Sequence, residues 1–222
     1  MNKSSLRRGI KYYRSGRYKQ AIDELLQVDE DPYENPDLSF YLGLAYTRLE
    51  KLEEALLYLE QAITAGIDLL HLYQARMVLG YIYTITNRHK LALFEFNELV
   101  DAGYESPQVY SIMGYIAFEQ KKWDLGIEYA EKAHKLDPEN TNALNSLGYM
   151  LAERGIRLDE ALEYCKRAVT ADPRNPAYLD SLGWVQFKLG KINEARLYLR
   201  KALDSAPGNK TIAGHLRSLM NQ

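Results

Sequence analysis

The sequence predicts an all-α protein built from repeated pairs of helices, and three observations carry this prediction. Apolar residues recur at the three- and four-residue spacing of amphipathic helices. Alternating β-branched residues flanked by turn residues do not persist over four or more positions. A glycine recurs about every 34 residues, with spacings of 34, 37, 34, 34 and 35, at Gly9, Gly43, Gly80, Gly114, Gly148 and Gly183. Six phased copies of one short unit indicate a repeat protein rather than a single globular core.

Each unit is predicted to contain two helices that cross closely at its glycine. In the fifth unit the apolar pattern begins at Leu144, breaks at Arg154-Gly155, and resumes from Leu158 until Asp172-Pro173. A small residue follows twelve positions after most of these glycines, and small side chains let two helix backbones approach. Glycine inside a helix costs about 1 kcal/mol relative to alanine, so packing at the crossing must offset that cost.

These residues resemble the signature of the tetratricopeptide repeat (TPR) family. In the sixth unit the match is carried by Leu182-Gly183, Gly190, Ala195, Leu199, Ala202 and Pro207, and in the second by Leu42-Gly43, Tyr46, Ala55, Leu59 and Ala62. The run Pro176–Trp184 resembles repeats common in bacterial TPR proteins. The resemblance implies an α-solenoid, a right-handed superhelix whose helix–turn–helix repeats span residues 2–35, 36–69, 73–106, 107–140, 141–175 and 176–209.

The segment after the sixth repeat, residues 210–222, is predicted to form a capping helix. Its apolar residues lie on one helical stripe that can cover the last repeat, and they are Ile212, Leu216, Leu219 and Met220. At the other end, Ser5 and Arg8 stand where the family has an aromatic residue and a leucine. Polar residues there suit a terminal repeat, whose outer face is solvated.

Composition argues against several classes of function. The 222 residues carry a formal charge of −2, which argues against binding nucleic acid through bulk positive charge. No window has the apolar length of a membrane span. The stretch Met1–Arg17 has six Lys and Arg and no continuous apolar run, so no secretory signal is predicted and a cytoplasmic location is expected. Removal of an upstream signal or lipoprotein segment would instead make the protein periplasmic.

No catalytic constellation, metal site or cofactor site is predicted. The histidines, His71, His89, His134 and His215, have no second histidine at metal-ligand spacing, and we expect them on the surface or in loops. Cys165 is the single cysteine and falls where the family packs a core residue, so we expect a buried, inert thiol. The sequence therefore predicts a protein that is not an enzyme.

The resemblance implies a binding surface on the inner wall of the superhelix, which the first helix of every repeat lines. In the family its positions lie three residues before the glycine, one after it, and four or five after it; we call these the inner-wall positions. The residue just after the glycine is aromatic in four repeats. The predicted partner-binding residues are Phe40, Leu44, Met77, Tyr81, Tyr115, Phe118, Asn142, Asn145, Tyr149, Asp180, Trp184 and Phe187.

Two interpretations of the aromatic residues stay open at this stage. The rings either pack against the adjacent helix with one edge exposed, or they form an amphipathic wall that grips a peptide. Asn142 and Asn145 could hydrogen-bond a ligand backbone, although asparagine is also typical of a helix start. TPR co-chaperones hold the acidic tail of heat-shock chaperones with Lys, Arg and Asn. The corresponding sites here are Leu6, Ile10, Tyr41, Gln74 and Val78, so binding of such a tail is disfavoured.

The predicted function is a non-catalytic scaffold for protein interactions. It is expected to bind a partner peptide or helix with apolar or aromatic side chains in a concave groove. Neither nucleic acid nor direct membrane insertion is expected. The alternatives are a self-assembling protein that dimerises or stacks, and an accessory subunit of an envelope or secretion complex.

Overall fold

The computed structural model describes residues 3–220, and this part of the chain forms thirteen α-helices and no β-strand. The helices are α1 (Lys3–Arg14), α2 (Tyr18–Leu25), α3 (Pro36–Arg48), α4 (Leu52–Thr64), α5 (Leu69–Ile85), α6 (His89–Asp101), α7 (Pro107–Glu119), α8 (Trp123–Leu136), α9 (Thr141–Arg154), α10 (Leu158–Ala171), α11 (Pro176–Lys188), α12 (Ile192–Ser205) and α13 (Lys210–Met220). The all-α prediction is confirmed. Residue 2, where the first predicted repeat begins, and residues 221–222 of the predicted cap lie outside the described residues. Within residues 3–220 no helix is both long and apolar enough to span a membrane.

The chain divides into two compact units, Met1–Tyr104 with α1–α6 and Glu105–Gln222 with α7–α13. Within each unit, a first helix contacts its own partner helix and the neighbouring helix pairs. In the first unit α3 contacts α1, α2, α4 and α5, and in the second α9 contacts α7, α8, α10 and α11. This nearest-neighbour stacking confirms the α-solenoid prediction, because each repeat buries its apolar face only against the next one.

Side-chain caps begin the first helix of the second and later repeats. Asn35, Asp68, Ser106, Asn140 and Asn175 each accept a hydrogen bond from a backbone N–H in the first turn of the helix that follows. These bonds satisfy donors that have no partner inside the helix. The turn between the two helices of each repeat instead contains a residue with positive φ, namely Gly16, Glu50, Asn87, Lys121, Arg157 and Gly190.

The helix α5 is longer than the other first helices. It spans 17 residues, whereas α3, α7 and α11 span 13 each. Residues 70–72, which the repeat arithmetic leaves unassigned, lie in the first turn of α5. Asp68 caps this turn and His71 lies within it. The insertion therefore lengthens a helix and does not enlarge a loop.

The two helices of a repeat cross where the glycine of the first helix meets a side chain of the second. A Cβ on Gly43 would lie 2.6 Å from Cγ of Leu59, so a larger residue does not fit without a shift. The same arrangement recurs in Gly9–Leu25, Gly80–Phe96, Gly148–Cys165 and Gly183–Leu199. The fourth repeat differs, because a Cβ on Gly114 would lie 3.1 Å from the carbonyl oxygen of Gly126. Its helices meet through their backbones.

Replacing Gly43 by alanine should destabilise the protein, because the new methyl group overlaps the buried Leu59 side chain. We expect the free energy of unfolding to fall by about 1–3 kcal/mol, measured by urea unfolding followed by circular dichroism. Gly214→Ala in α13 is the matched control, since a Cβ there meets nothing within 4 Å and alanine favours helix by up to about 1 kcal/mol. Equal stability of the two variants would contradict the close crossing.

Cys165 is fully buried over Gly148, which confirms the expectation of a core thiol. Burial raises the pKa of this thiol well above its ordinary value, so the reactive thiolate is suppressed. We expect no reaction with Ellman's reagent in the native protein and one thiol per chain after denaturation in urea. Rapid labelling of the native protein would contradict the packing at this crossing.

Candidate functional site

In the first unit, the structure places two of the four predicted site residues in the core. Phe40 is 1% exposed and Leu44 is 4% exposed, so neither presents a side chain to a ligand. The Phe40 ring is covered by the ring of His71, whose centroid lies 4.5 Å away, and by Tyr41 at 5.3 Å. The added turn of α5 brings His71 to this position. Met77 is half-buried, and Tyr81 keeps 51% of its surface exposed.

Three acid–base side chains meet near this added turn. Ligand atoms of Asp37, Asp68 and His71 lie within 4.8 Å of one another, a spacing that a divalent cation could bridge. Asp68 already accepts hydrogen bonds from the backbone N–H groups of Leu70 and His71 and contacts the His71 ring. Desolvation is the largest single effect on the pKa of the Asp68 carboxyl and raises it, but these bonds and the charge of His71 together outweigh it, so the pKa is lowered. Helix capping therefore accounts for the arrangement without a metal ion.

In the second unit, the inner-wall positions of α7 and α9 hold both exposed and buried aromatic residues. Tyr115 is 50% exposed, whereas Phe118 is 7% exposed. The Phe118 ring packs edge-on against Trp123 at 4.6 Å and Tyr149 at 6.2 Å. Phe118 is therefore a core residue that supports Tyr149, which is itself half-buried.

The two predicted asparagines differ in their hydrogen bonding inside the protein. Asn142 is exposed at the start of α9, and its side-chain oxygen accepts a 2.6 Å hydrogen bond from the Tyr178 hydroxyl. Asn145 is half-buried, and within residues 3–220 its side-chain oxygen has no hydrogen-bond partner. The cap of α9 is Asn140, so Asn142 is not the residue that starts this helix.

The C-terminal helix α13 covers the predicted site residues of α11. Nδ1–H of His215 donates to the Asp180 carboxylate, whose oxygens lie 2.9 and 3.0 Å away. The His215 ring stacks on Trp184 with 4.1 Å between centroids, and the Phe187 ring also stacks on Trp184, with 5.0 Å between centroids. Asp180 and Trp184 are each only 7% exposed, so α13 occupies the surface that the sequence predicts to be open to a ligand.

The expectation that the histidines lie on the surface or in loops is wrong for His215, whose side chain is 12% exposed. A signal for its burial was present in the sequence. Residue 215 lies three positions after Ile212 and four before Leu219, so it shares their helical face. Ile212 and Leu219 are buried, whereas Met220 is 69% exposed and does not belong to the packed stripe.

Carboxylates surround the half-buried Tyr149. Burial and the nearby carboxylates of Glu153, Asp180 and Glu119 raise the pKa of its hydroxyl well above the ordinary value. Glu119 also acts on Tyr115, whose pKa is raised first by burial and then by this carboxylate. Glu119 and Glu153 occupy inner-wall positions five residues after the glycines of their repeats. They are not among the predicted partner-binding residues, although the sequence places both at inner-wall positions.

Glu153 also ties α9 to α11. Its carboxylate accepts a 2.7 Å hydrogen bond from Nε1–H of Trp184, and its backbone oxygen accepts from Nζ of Lys188 at 3.4 Å. The Lys188 ammonium lies 4.8 Å from the centre of the Trp184 ring, a cation–π arrangement. The inner-wall positions of α7, α9 and α11, which we call the face of the second unit, therefore combine exposed and half-buried aromatic rings with carboxylates. The imidazole of His215 is bound at the α11 end of this face.

Comparisons with known proteins agree with this architecture. The tetratricopeptide repeat family profile matches residues 6–69, 113–176 and 157–210. A TPR repeat-containing protein of Pseudomonas aeruginosa is 43% identical over 80 residues, which cover 36% of this chain and 13% of that relative. This chain therefore spans a small part of the length of the curated relative that it matches.

Solved structures show the same fold. YrrB, a TPR protein with an unusual peptide-binding site, is 24% identical with a TM-score of 0.61, and the match covers 90% of this chain and 97% of YrrB. PilF of Pseudomonas aeruginosa is 19% identical with a TM-score of 0.65, and the match covers 86% of each chain. Cut9, in its complex with Hcn1, is 13% identical with a TM-score of 0.75, and the match covers 97% of this chain and 42% of Cut9.

Replacing His215 by alanine should loosen α13 and expose Trp184. The change leaves the buried Asp180 carboxylate without its donor, which we expect to lower the free energy of unfolding by about 1–3 kcal/mol. In a Trp123→Phe background, the emission of Trp184 should move to longer wavelength and be quenched more strongly by acrylamide. Arg217→Ala, on the exposed side of the same helix, is the control and should change neither. Unchanged Trp184 emission in the His215 variant would contradict the stacked arrangement.

Proposed function

The chain belongs to the tetratricopeptide repeat family, and we propose that its second unit binds a partner peptide that carries aromatic or apolar side chains next to basic ones. The family consists of non-catalytic protein-interaction scaffolds, which sets the general role. The observation that carries the finer proposal is Tyr115, a large aromatic side chain that is half exposed beside Glu119 on α7.

The burial pattern favours Tyr115 as the centre of the site. Tyrosine offers a large contact area with few rotatable bonds, and tyrosines that become buried when a partner binds are frequent hot spots of binding. Tyr149 lies on the next first helix of the same unit, and the Glu119 carboxylate acts on both hydroxyls. A ring and a carboxylate that are fixed together suit an apolar side chain followed by a cationic one.

The contact made by α13 is an internal example of this chemistry. His215 places an aromatic ring between the indole of Trp184 and the carboxylate of Asp180. The same combination of ring and carboxylate remains exposed at Tyr115 and Glu119. The contact of His215 with Trp184 and Asp180 therefore illustrates how a side chain of a partner would bind at Tyr115 and Glu119. The helix α13 covers only the residues of α11 and leaves this pair exposed.

Tyr115→Ala should remove most of the binding without unfolding the protein. A random peptide display library can be panned against the purified chain, and one selected peptide labelled and titrated by fluorescence anisotropy. We expect Tyr115→Ala to weaken the binding of this peptide by about 2 kcal/mol, a hot-spot effect, with unchanged helicity of the protein.

Glu119→Lys should weaken the binding further when the peptide contains Lys or Arg, because an attraction between opposite charges becomes a repulsion between like charges.

Tyr33→Ala is the matched control, because Tyr33 lies in the first unit and is 59% exposed. It should leave the peptide affinity unchanged. Tyr149 is a poorer choice for substitution, since its ring packs against Phe118 and its loss would disturb the core. Equal binding by the wild type and the Tyr115 variant, or equal loss in the Tyr33 variant, would refute the proposed site.

A further inference from the structure

The first helix of the chain carries a charge unlike that of the protein as a whole. Met1–Arg17 contains six Lys and Arg and no Asp or Glu, although the full chain has a formal charge of −2. Most of these basic residues lie on α1, whose first turn has no acidic residue. Arg7, Arg8 and Lys11 are exposed on this helix. The positive charge is therefore concentrated on one element.

The basic residues occupy helix-packing positions. In the later repeats, the residues two before and two after the glycine are buried or half-buried: Tyr41 and Ala45, Val78 and Ile82, Ile112 and Ile116, Ser146 and Met150, Ser181 and Val185. The equivalent residues of α1 are Arg7 and Lys11, which flank Gly9 and are both exposed. The face of α1 that carries them thus corresponds to the face with which later first helices pack.

Little within the described residues neutralises this face. Among the described side chains of Arg7, Arg8, Lys11 and Arg14, Arg8 forms an ion pair with Glu24 at 3.0 Å and Arg14 donates to the Tyr41 hydroxyl at 3.4 Å. Arg7 and Lys11 are spaced i, i+4, where like charges repel and destabilise a helix. Two shallow clefts flank Lys11, one lined by Arg7, Ile10 and Arg14 and the other by Arg8, Tyr12, Ser15 and Arg17.

A solubilising cap does not require this arrangement. Such a surface needs polar side chains, and mixed signs serve it without the repulsion that a single sign creates. Stacking against the far end of a second copy is also disfavoured by charge. Residues 192–220 carry five Lys and Arg against two Asp and Glu, a net charge of +3, so the two ends would repel each other.

We propose that this basic face of α1, formed by Arg7, Lys11 and Arg14 with the neighbouring Arg8, docks an acidic helix of a partner protein. The positions equivalent to Arg7 and Lys11 are buried or half-buried in every later first helix, so this face is suited to packing against another helix. Acidic side chains at i, i+4 spacing on the partner match the spacing of Arg7 and Lys11. The apolar side of α1 packs inside its own unit, so the helix has no free apolar stripe to insert into a lipid bilayer. This surface is separate from the face of the second unit.

The probe is an alanine-based helical peptide with Glu at every fourth position, labelled and titrated against the full chain by fluorescence anisotropy. We expect saturable binding that weakens as salt rises, and none to the same peptide with Gln in place of Glu. The double variant Arg7→Glu with Lys11→Glu should bind at least about tenfold more weakly. The double variant Arg7→Gln with Lys11→Gln, which does remove the like-charge pair, should melt at or above the temperature of the wild type.

The matched control is Arg196→Glu with Arg200→Glu, an exposed i, i+4 pair on α12, which should bind the probe as the wild type does. If the Arg7 and Lys11 glutamate variant does not fold, the glutamine variant replaces it and should also bind more weakly. Four results would overturn the proposal. The first two are an equal loss of probe binding in the α12 control, and equal binding of a proline-interrupted peptide that has the same Glu content but cannot form the helix. The third is tighter binding of phosphatidylglycerol vesicles or oligothymidylate than of the helical peptide. The fourth is dimerisation through α1, detected by light scattering in the absence of any probe.

Discussion

The contact between the glycine of each first helix and the residue sixteen or seventeen positions later sets the distance between the two helices of a repeat. At Gly43 and Leu59 there is no room for a methyl group, and four other repeats share this geometry. The cost of a glycine inside a helix is offset because the helices then approach closely enough to bury their neighbours. The positions of the inner-wall residues follow from this crossing, since it fixes which side of each first helix faces its partner. The stack and its surfaces therefore depend on one recurrent contact.

The fold was predictable because this contact leaves a local trace in the sequence. Glycines at a period near 34 and small residues twelve positions later record the crossing without any long-range information. The caps were equally local, as Asn175 followed by Pro176 illustrates. Residues 70–72 fall between the predicted second and third repeats, but the spacing of the glycines does not predict their conformation. Whether an insertion lengthens a helix or a loop depends on the cap that precedes it, which here is Asp68.

The candidate site was less predictable, because exposure is decided by contacts between distant parts of the sequence. Phe40 and Met77 hold the same inner-wall position, three residues before the glycine, yet Phe40 is in the core and Met77 is only half-buried. The added turn of α5 brings His71 over Phe40. Trp184 is likewise covered by His215 from a helix that follows the last repeat. Family positions identify a face of a helix, whereas a neighbouring side chain determines how much of that face a ligand can reach.

The backbone crossing in the fourth repeat has a consequence for how this chain can change over generations. Where a leucine lies over the glycine, as at Leu59, a new Cβ on the first helix meets the leucine side chain at 2.6 Å and its backbone nitrogen at 3.0 Å. In the fourth repeat, a Cβ on Gly114 would lie 3.1 Å from the carbonyl oxygen of Gly126, and a Cβ on Gly126 would lie 3.2 Å from that of Gly114. The first helix alone carries the restricted glycine in the other repeats, whereas in the fourth both helices carry one. Sequence drift in the fourth repeat should therefore be restricted at two positions of the crossing, Gly114 and Gly126.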